Sequence, residues 1–255
     1  MWEPILAKIR QLAALDRQHK AFGAYAHHYA FRPPASSADL AASEQRLGAA
    51  LPPELRALYV ELGDGGAGPG YGLLASTMLQ GRGASSPYPG VAALREAARR
   101  ADASGEQEDP YFEAPYDSIV GLIPIIEEGC GHQTCLVASG PSAGRVVHVS
   151  SDGFVVEAEG GLRHHYERWL DVTITQFEAV RTLMDAGVSF EALREEMVAR
   201  HQLHGVGDLV ASIADVETPT SIFGTPGARV YHGATQLPWY EDVLAEYQAR
   251  RARTT

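Results

Sequence analysis

Along the first hundred residues the apolar positions recur at helical spacing. Ile5, Ile9, Leu12 and Leu15 form a stripe that predicts one or two helices over residues 1–31, ended by the breakers Pro33 and Pro34. Leu40, Glu44 and Leu47 mark a further short helix. Ser36 or Ser37 caps it, because a hydroxyl accepts from the free N–H groups of a first turn, and Gly48 stops it. Leu51-Pro52-Pro53 opens the next helix, where an early proline brings its φ already set. Leu51, Leu55, Leu58, Tyr59 and Leu62 share one face of it, and Gly63 ends it. The glycine-rich stretch from Asp64 to Gly72 then turns the chain into the strand-like Leu73-Leu74. After a Gly, Ser and Pro loop over residues 80–89, Val91 to Asp102 predicts an exposed helix with Leu94 and Ala98 on one side.

The rhythm then changes to that of strands. Ile119 to Ile126 is a short apolar run, and Pro124, which lacks a ladder donor, places it at a sheet edge or a bend. Residues 134–138 follow a small-residue turn, residues 145–150 alternate, and residues 154–158 alternate again after Asp152-Gly153, a strong hairpin signal. Tyr166 to Leu170 starts a long helix reaching about Ala186. Beyond it, Ser189 caps a helix to about His201, residues 206–222 are ambiguous, and Leu237-Pro238 opens a last helix. The pattern predicts an α+β fold: a mixed, mostly antiparallel sheet flanked by helices, with helical extensions at both termini.

Several of these features combine into a recognisable order. Glu44 at the centre of a short helix, Leu51-Pro52, Tyr59 in the helix that follows, and Asp64-Gly65-Gly66 ahead of Tyr71-Gly72-Leu73-Leu74 resemble the SUKH superfamily. Its members include fungal cell-wall synthesis regulators and bacterial immunity proteins. The second half agrees in order: apolar strand, small-residue turn, Asp-Gly hairpin, and a helix starting with Tyr166, Trp169 and Leu170. The resemblance spans about residues 36–185. It implies a SUKH-like domain over 36–186, with extensions over 1–35 and 187–255, and it implies that Tyr59, Tyr71, Phe154, Tyr166 and Trp169 pack a core. It further implies a non-catalytic protein-binding module, an immunity or antitoxin-like protein that neutralises a toxin domain. The alternative is a regulator or adaptor of the cell-wall type with no toxin partner.

Composition narrows the partner. A net charge of −11 favours a cationic partner and argues against nucleic acid, which is bound by a basic face. No apolar run approaches the ~20 residues of a membrane helix. The N-terminus lacks a basic start before an apolar core, so no signal peptide is expected. The 2 cysteines do not make a disulfide framework. A cytoplasmic protein without cofactor is the simplest expectation.

Chemical motifs are weak by context. Gly63 to Gly68 fits G-x-G-x-x-G, but it follows a helix and precedes a strand, the reverse of a dinucleotide site. Its glycines suit positive φ in a sharp turn, Gly65 and Gly66 above all. Cys130, His132 and Cys135 could share a metal, yet a closed zinc site needs four ligands and no fourth is near. Neither a G-x-S-x-G elbow, an H-E-x-x-H helix nor a deaminase signature is present. Glu127 and Glu128, adjacent at a strand end, point to opposite faces and are expected to be solvated. The residues expected to meet a partner are therefore acidic: Glu106, Glu108, Asp109 and Glu113 in the loop over 103–117, with Asp64, Glu127 and Glu128 as neighbours, and Tyr71, whose polar tip could reach a ligand from the glycine loop.

Overall fold

A computed structural model describes residues 2–17, 19, 21–101, 119–129, 131–150, 153, 155–185 and 187. Helix α1 (Glu3–Leu15) starts with a proline in its first turn and buries Ile5, Ile9 and Leu12. A single helical turn follows as α2 (Ala24–His27). In α3 (Ser37–Leu47), Ser36 forms a reciprocal capping box with Asp39, and Gly48 closes the helix in the left-handed conformation at φ 65°. Helix α4 (Pro53–Glu61) buries Leu55, Leu58 and Tyr59. The Glu44 carboxylate explains its place in the motif. It accepts from the Leu51 N–H at 3.1 Å and pairs with Arg56 at 2.8 Å, tying α3 to the start of α4.

After a 3-10 turn at Ser76–Met78 comes α5 (Val91–Ala101). Then β1 (Leu122–Gly129), β2 (His132–Val137), β3 (Arg145–Val149) and β4 (Val155–Gly161) form an antiparallel meander in that spatial order. Pro124 lies opposite Cys135, and the register of β1 slips between Pro124 and Ile126. The missing N–H is accommodated by a bulge, on the first strand of the ladder. Single antiparallel bridges carry the pairing outward from β1 through Leu73 and Gly66 to Phe31.

The two-residue period of the strands sorts the sheet into two faces. Ile123, Ile125, Leu136 and Val146 join α1, α3, α4 and the final helix α6 (Leu162–Asp185) in the main core. Leu122, Cys135, Val137, Val147 and Val149 face Leu94 and Ala98 of α5. The expected exposed helix at 91–102 is thus buried along the side that carries Leu94 and Ala98. Residues 2–15 join the main core through Trp2, Ile5, Ile9 and Leu12, and α1 is held on α6 by Lys8–Asp171 at 2.6 Å and Gln11–Glu178 at 2.8 Å.

Helix α6 begins at Leu162, four residues before the expected Tyr166. Its first turn is served from far away, because Glu54 of α4 accepts from the Arg163 N–H at 3.2 Å. The sequence near 162 carries no local cap to announce it. The helices expected after Ser189 and Leu237, together with Phe154, Cys130 and Asp152, lie outside the described residues.

Trp169 is 8 % exposed and meets Tyr166 and His27 edge to face, at ring-centroid distances of 5.9 and 6.5 Å. Removing so large a buried ring leaves a void that packed neighbours fill incompletely. Trp169→Ala should cost about 3–5 kcal/mol in denaturant unfolding; an unchanged midpoint would show that the ring packs nothing.

Candidate functional site

The glycine loop after α4 is where distant parts of the chain come closest. Gly66 holds φ 116°, and a Cβ there would lie 2.3 Å from the Ala30 carbonyl oxygen. Gly23, at the start of α2 with φ 74°, is tighter still: its Cβ would lie 1.8 Å from the Gly70 carbonyl oxygen. Neither position tolerates a side chain, by conformation and by space. Hydrogen bonds complete the approach. The Ala67 N–H donates to Ala30 O at 2.9 Å, the Tyr71 N–H to Glu127 O at 3.0 Å, and the Tyr166 hydroxyl to Ala67 O at 2.9 Å. The loop is thereby fixed to the N-terminal segment, to the end of β1 and to α6.

The N-terminal segment meets the loop as a folded hook. Buried Asp16 accepts from the Ala21 N–H at 2.9 Å and from the Tyr29 hydroxyl at 2.6 Å. His19, His28 and Tyr29 hold positive φ of 54°, 50° and 55°, a conformation that costs non-glycine residues energy. The hook brings Phe22 and Tyr25 against Tyr71, with ring centroids 5.3 and 6.0 Å apart. Tyr25 is 51 % exposed, while Phe22 and Tyr71 are half-buried. The Tyr71 ring lies over the backbone of Gly129, where a Cβ would come within 3.0 Å of its Cε2. These rings meet at the seam of hook, loop and β1, with Tyr25 the exposed member. The sequence pointed to Tyr71 but missed Phe22 and Tyr25; the signal available was the cluster of rings over residues 22–31.

The expected acidic residues divide. Glu127 is half-buried, and its carboxylate accepts from Gln133 at 2.6 Å. Glu128, expected to be solvated, is 6 % exposed. It accepts from the Thr134 hydroxyl, lies 3.4 Å from His148 Nδ1, and that nitrogen is 3.0 Å from Thr134 Oγ1. The slip in register between Glu127 and Gly129 breaks the alternation that made solvation the natural expectation. Asp64 is half-buried, and Ser76 occupies its carboxylate through the backbone N–H at 2.6 Å and the hydroxyl at 3.1 Å. Glu106, Glu108, Asp109 and Glu113 lie outside the described residues.

Burial pushes the Cys135 thiol up to about 12, which keeps it protonated and unreactive. Among the described residues no cluster of three or more His, Cys, Asp or Glu could hold a metal. Thr134 is fully buried, so its hydroxyl serves the Glu128–His148 chain. His165 lies beside this chain, its ring tilted by 55° to that of His148 at 5.4 Å, with a buried Nε2 that no hydrogen bond satisfies. Burial, and then His148, push its pKa down to about 3. Burial likewise lowers His27 to about 4, aided by His19 and His28 and opposed by the Gly68 backbone.

Comparison with known proteins bears on part of this surface. The model of the family described as SMI1 / KNR4 family (SUKH-1) matches residues 34–168. That segment holds Glu44, Tyr59 and Tyr71 but not the hook with Phe22 and Tyr25. No curated protein matches the chain, and no solved structure does.

Two expectations follow from this geometry. The unfolded chain takes up protons at His27 and His165 below about pH 6.5, whereas the folded chain refuses them down to about 4 and 3. Folding stability should therefore be fully present above pH 6.5 and fall as pH drops, by up to ~1.4 kcal/mol per pH unit for each histidine. Denaturant unfolding at pH 7 and pH 5 tests this, and His165→Gln should flatten the slope; a slope unchanged by that substitution would place His165 in water. Gly23→Ala should cost at least ~2 kcal/mol, by forced φ and overpacking together. A wild-type melting temperature in that variant would mean the hook does not rest on the loop.

Proposed function

The chain belongs to the SMI1/KNR4 family (SUKH-1), and from that footing we propose that it is a non-catalytic protein-binding module of the bacterial immunity type, neutralising a toxin domain by direct binding in the cytoplasm. Among the described residues no helix is long and apolar enough to cross a membrane. The observation that carries the proposal is the patch of Phe22, Tyr25 and Tyr71. Tyrosines presented on a rigid seam give large contact area at low entropy cost, as the anchors of protein interfaces do. The hook spends backbone strain at His19, His28 and Tyr29 while leaving Tyr25 half in water.

The net charge of −11 points to a basic partner. Toxin domains that act on nucleic acid must approach phosphates and are accordingly basic. Opposite charge speeds encounter and makes it sensitive to salt. The other member of this class is a regulator or adaptor of the cell-wall type, whose mark would be several unrelated partners.

Titration calorimetry of the full chain against the product of the adjacent gene tests the proposal. A one-to-one complex is expected, with association slowed when the Debye length is cut from about 10 Å to about 3 Å. No complex with that product, together with stable capture of several unrelated proteins, would replace the immunity role by the adaptor role.

A further inference from the structure

We propose that His27 is a proton-operated clamp on the hook, in which only the neutral ring holds the Tyr29 backbone in its left-handed conformation. His27 is the last residue of α2 and is 8 % exposed. Its Nδ1 accepts from the Tyr29 N–H, two residues on, at 3.0 Å. An asparagine or aspartate side chain holds a turn by the same arrangement. The corner held in this way is strained, with His28 at φ 50° and Tyr29 at φ 55°. Non-glycine residues seldom take this conformation singly, and here two take it in succession.

The chemistry of an imidazole makes this support conditional. A ring nitrogen accepts only through its lone pair, and a protonated ring donates from both nitrogens. The bond from Tyr29 therefore requires a bare Nδ1, so the neutral ring carries its hydrogen on Nε2. A proton on Nδ1 sets two donors face to face and removes the support. The surroundings offer the cation little. Nε2 is buried with no well-formed hydrogen bond, the loop presents the backbone of Gly68 and Gly72, and α6 presents the Trp169 ring at 6.5 Å. The titratable groups facing the ring are Asp16, after the end of α1, and His19, His28 and Tyr29 of the hook. Burial opposes a charge most strongly, and His19 and His28 add to it; the Gly68 backbone and Asp16 favour one.

Histidine gives this corner a property that asparagine would not. Asparagine accepts the same bond at every pH, whereas histidine accepts it only while neutral. Burial keeps the ring neutral in the closed corner down to about 4, and a ring released to water takes up its proton near pH 6.5. Between those values each unit of acid favours the relaxed corner about tenfold. Helix α2 carries Tyr25, the exposed ring of the seam, and ends at this corner. Relaxation therefore alters the face that the hook shows to solvent. The seam stays shut, because its bonds from Ala67 and Tyr71 do not run through the His27 ring.

Nuclear magnetic resonance of the full chain between pH 7 and pH 5 tests the clamp through the ring nitrogens of His27 and the amide of Tyr29. At pH 7 Nδ1 should be bare and Nε2 protonated. The Tyr29 amide should exchange faster than the Ala67 amide throughout, and its opening should rise about tenfold from pH 6 to pH 5. His27→Asn should keep the Tyr29 amide protected and abolish that rise. His27→Leu, which offers no acceptor, should lower the protection at pH 7 roughly fivefold, the worth of one hydrogen bond. His165→Gln should leave the rise in place, since that ring packs on His148 of β3. A neutral ring with its hydrogen on Nδ1, a Tyr29 amide that exchanges only together with that of Ala67, or the same rise in His27→Asn as in wild type would each overturn the clamp. If His27→Leu fails to fold, wild type against His27→Asn still decides.

Discussion

The whole arrangement depends on how closely one backbone can approach another at the glycine loop. With no Cβ at Gly66 or Gly23, the carbonyls of Ala30 and Gly70 sit where side chains would otherwise be. Backbone hydrogen bonds from Ala67 and Tyr71 then fix the loop to the N-terminal hook and to β1. Apolar burial alone could not specify this seam, because it is non-directional. What specifies it is the match of short contacts and hydrogen bonds, each of which tolerates little displacement. The aromatic patch exists because the seam does: one ring rides on the loop and two on the hook.

Polar groups below the seam add a second constraint. Glu128, Thr134, His148 and His165 connect β1, β2, β3 and α6 in the main-core face of the sheet. A buried carboxylate is tolerated when it is hydrogen-bonded; Thr134 donates to Glu128 Oε1, with His148 Nδ1 3.4 Å from the same oxygen. The cost appears at His165, whose buried Nε2 goes unsatisfied. Such a chain contributes directionality to a face otherwise built from Ile123, Ile125, Leu136 and Val146. It also makes the fold sensitive to acid, since the His165 imidazole must stay neutral.

Local signals were legible in the sequence and tertiary ones were not. Ser36, Gly48, Pro53 and the glycines after Gly63 act on their immediate neighbours, and the elements they delimit stand close to where the sequence places them. The start of α6 was misplaced because its first turn is served by Glu54, 109 residues away. Strand alternation alone leaves Glu128 in water, because it says nothing of a slipped register or of Thr134 and His148 arriving from neighbouring strands. The hook's closure is a tertiary event. Asp16 bonds the Tyr29 hydroxyl across 13 residues, and Gly23 meets Gly70 only once the sheet is formed. Of the candidate site, Tyr71 and Glu127 are legible in the sequence, whereas Phe22 and Tyr25 show there only as members of a ring-rich stretch over residues 22–31.

The claim most exposed to test is that hook and loop form one cooperative unit with the sheet. Native-state hydrogen exchange reads it directly through the amides of Ala67, bonded to Ala30 O, and Tyr71, bonded to Glu127 O. If the seam is integral to the fold, these amides exchange only through global unfolding, at rates matching those of paired residues in β2 and β3. Fast exchange at Ala67 and Tyr71 while β2 and β3 stay protected would show the hook lifting off independently, and would remove the rigid seam on which the aromatic patch rests.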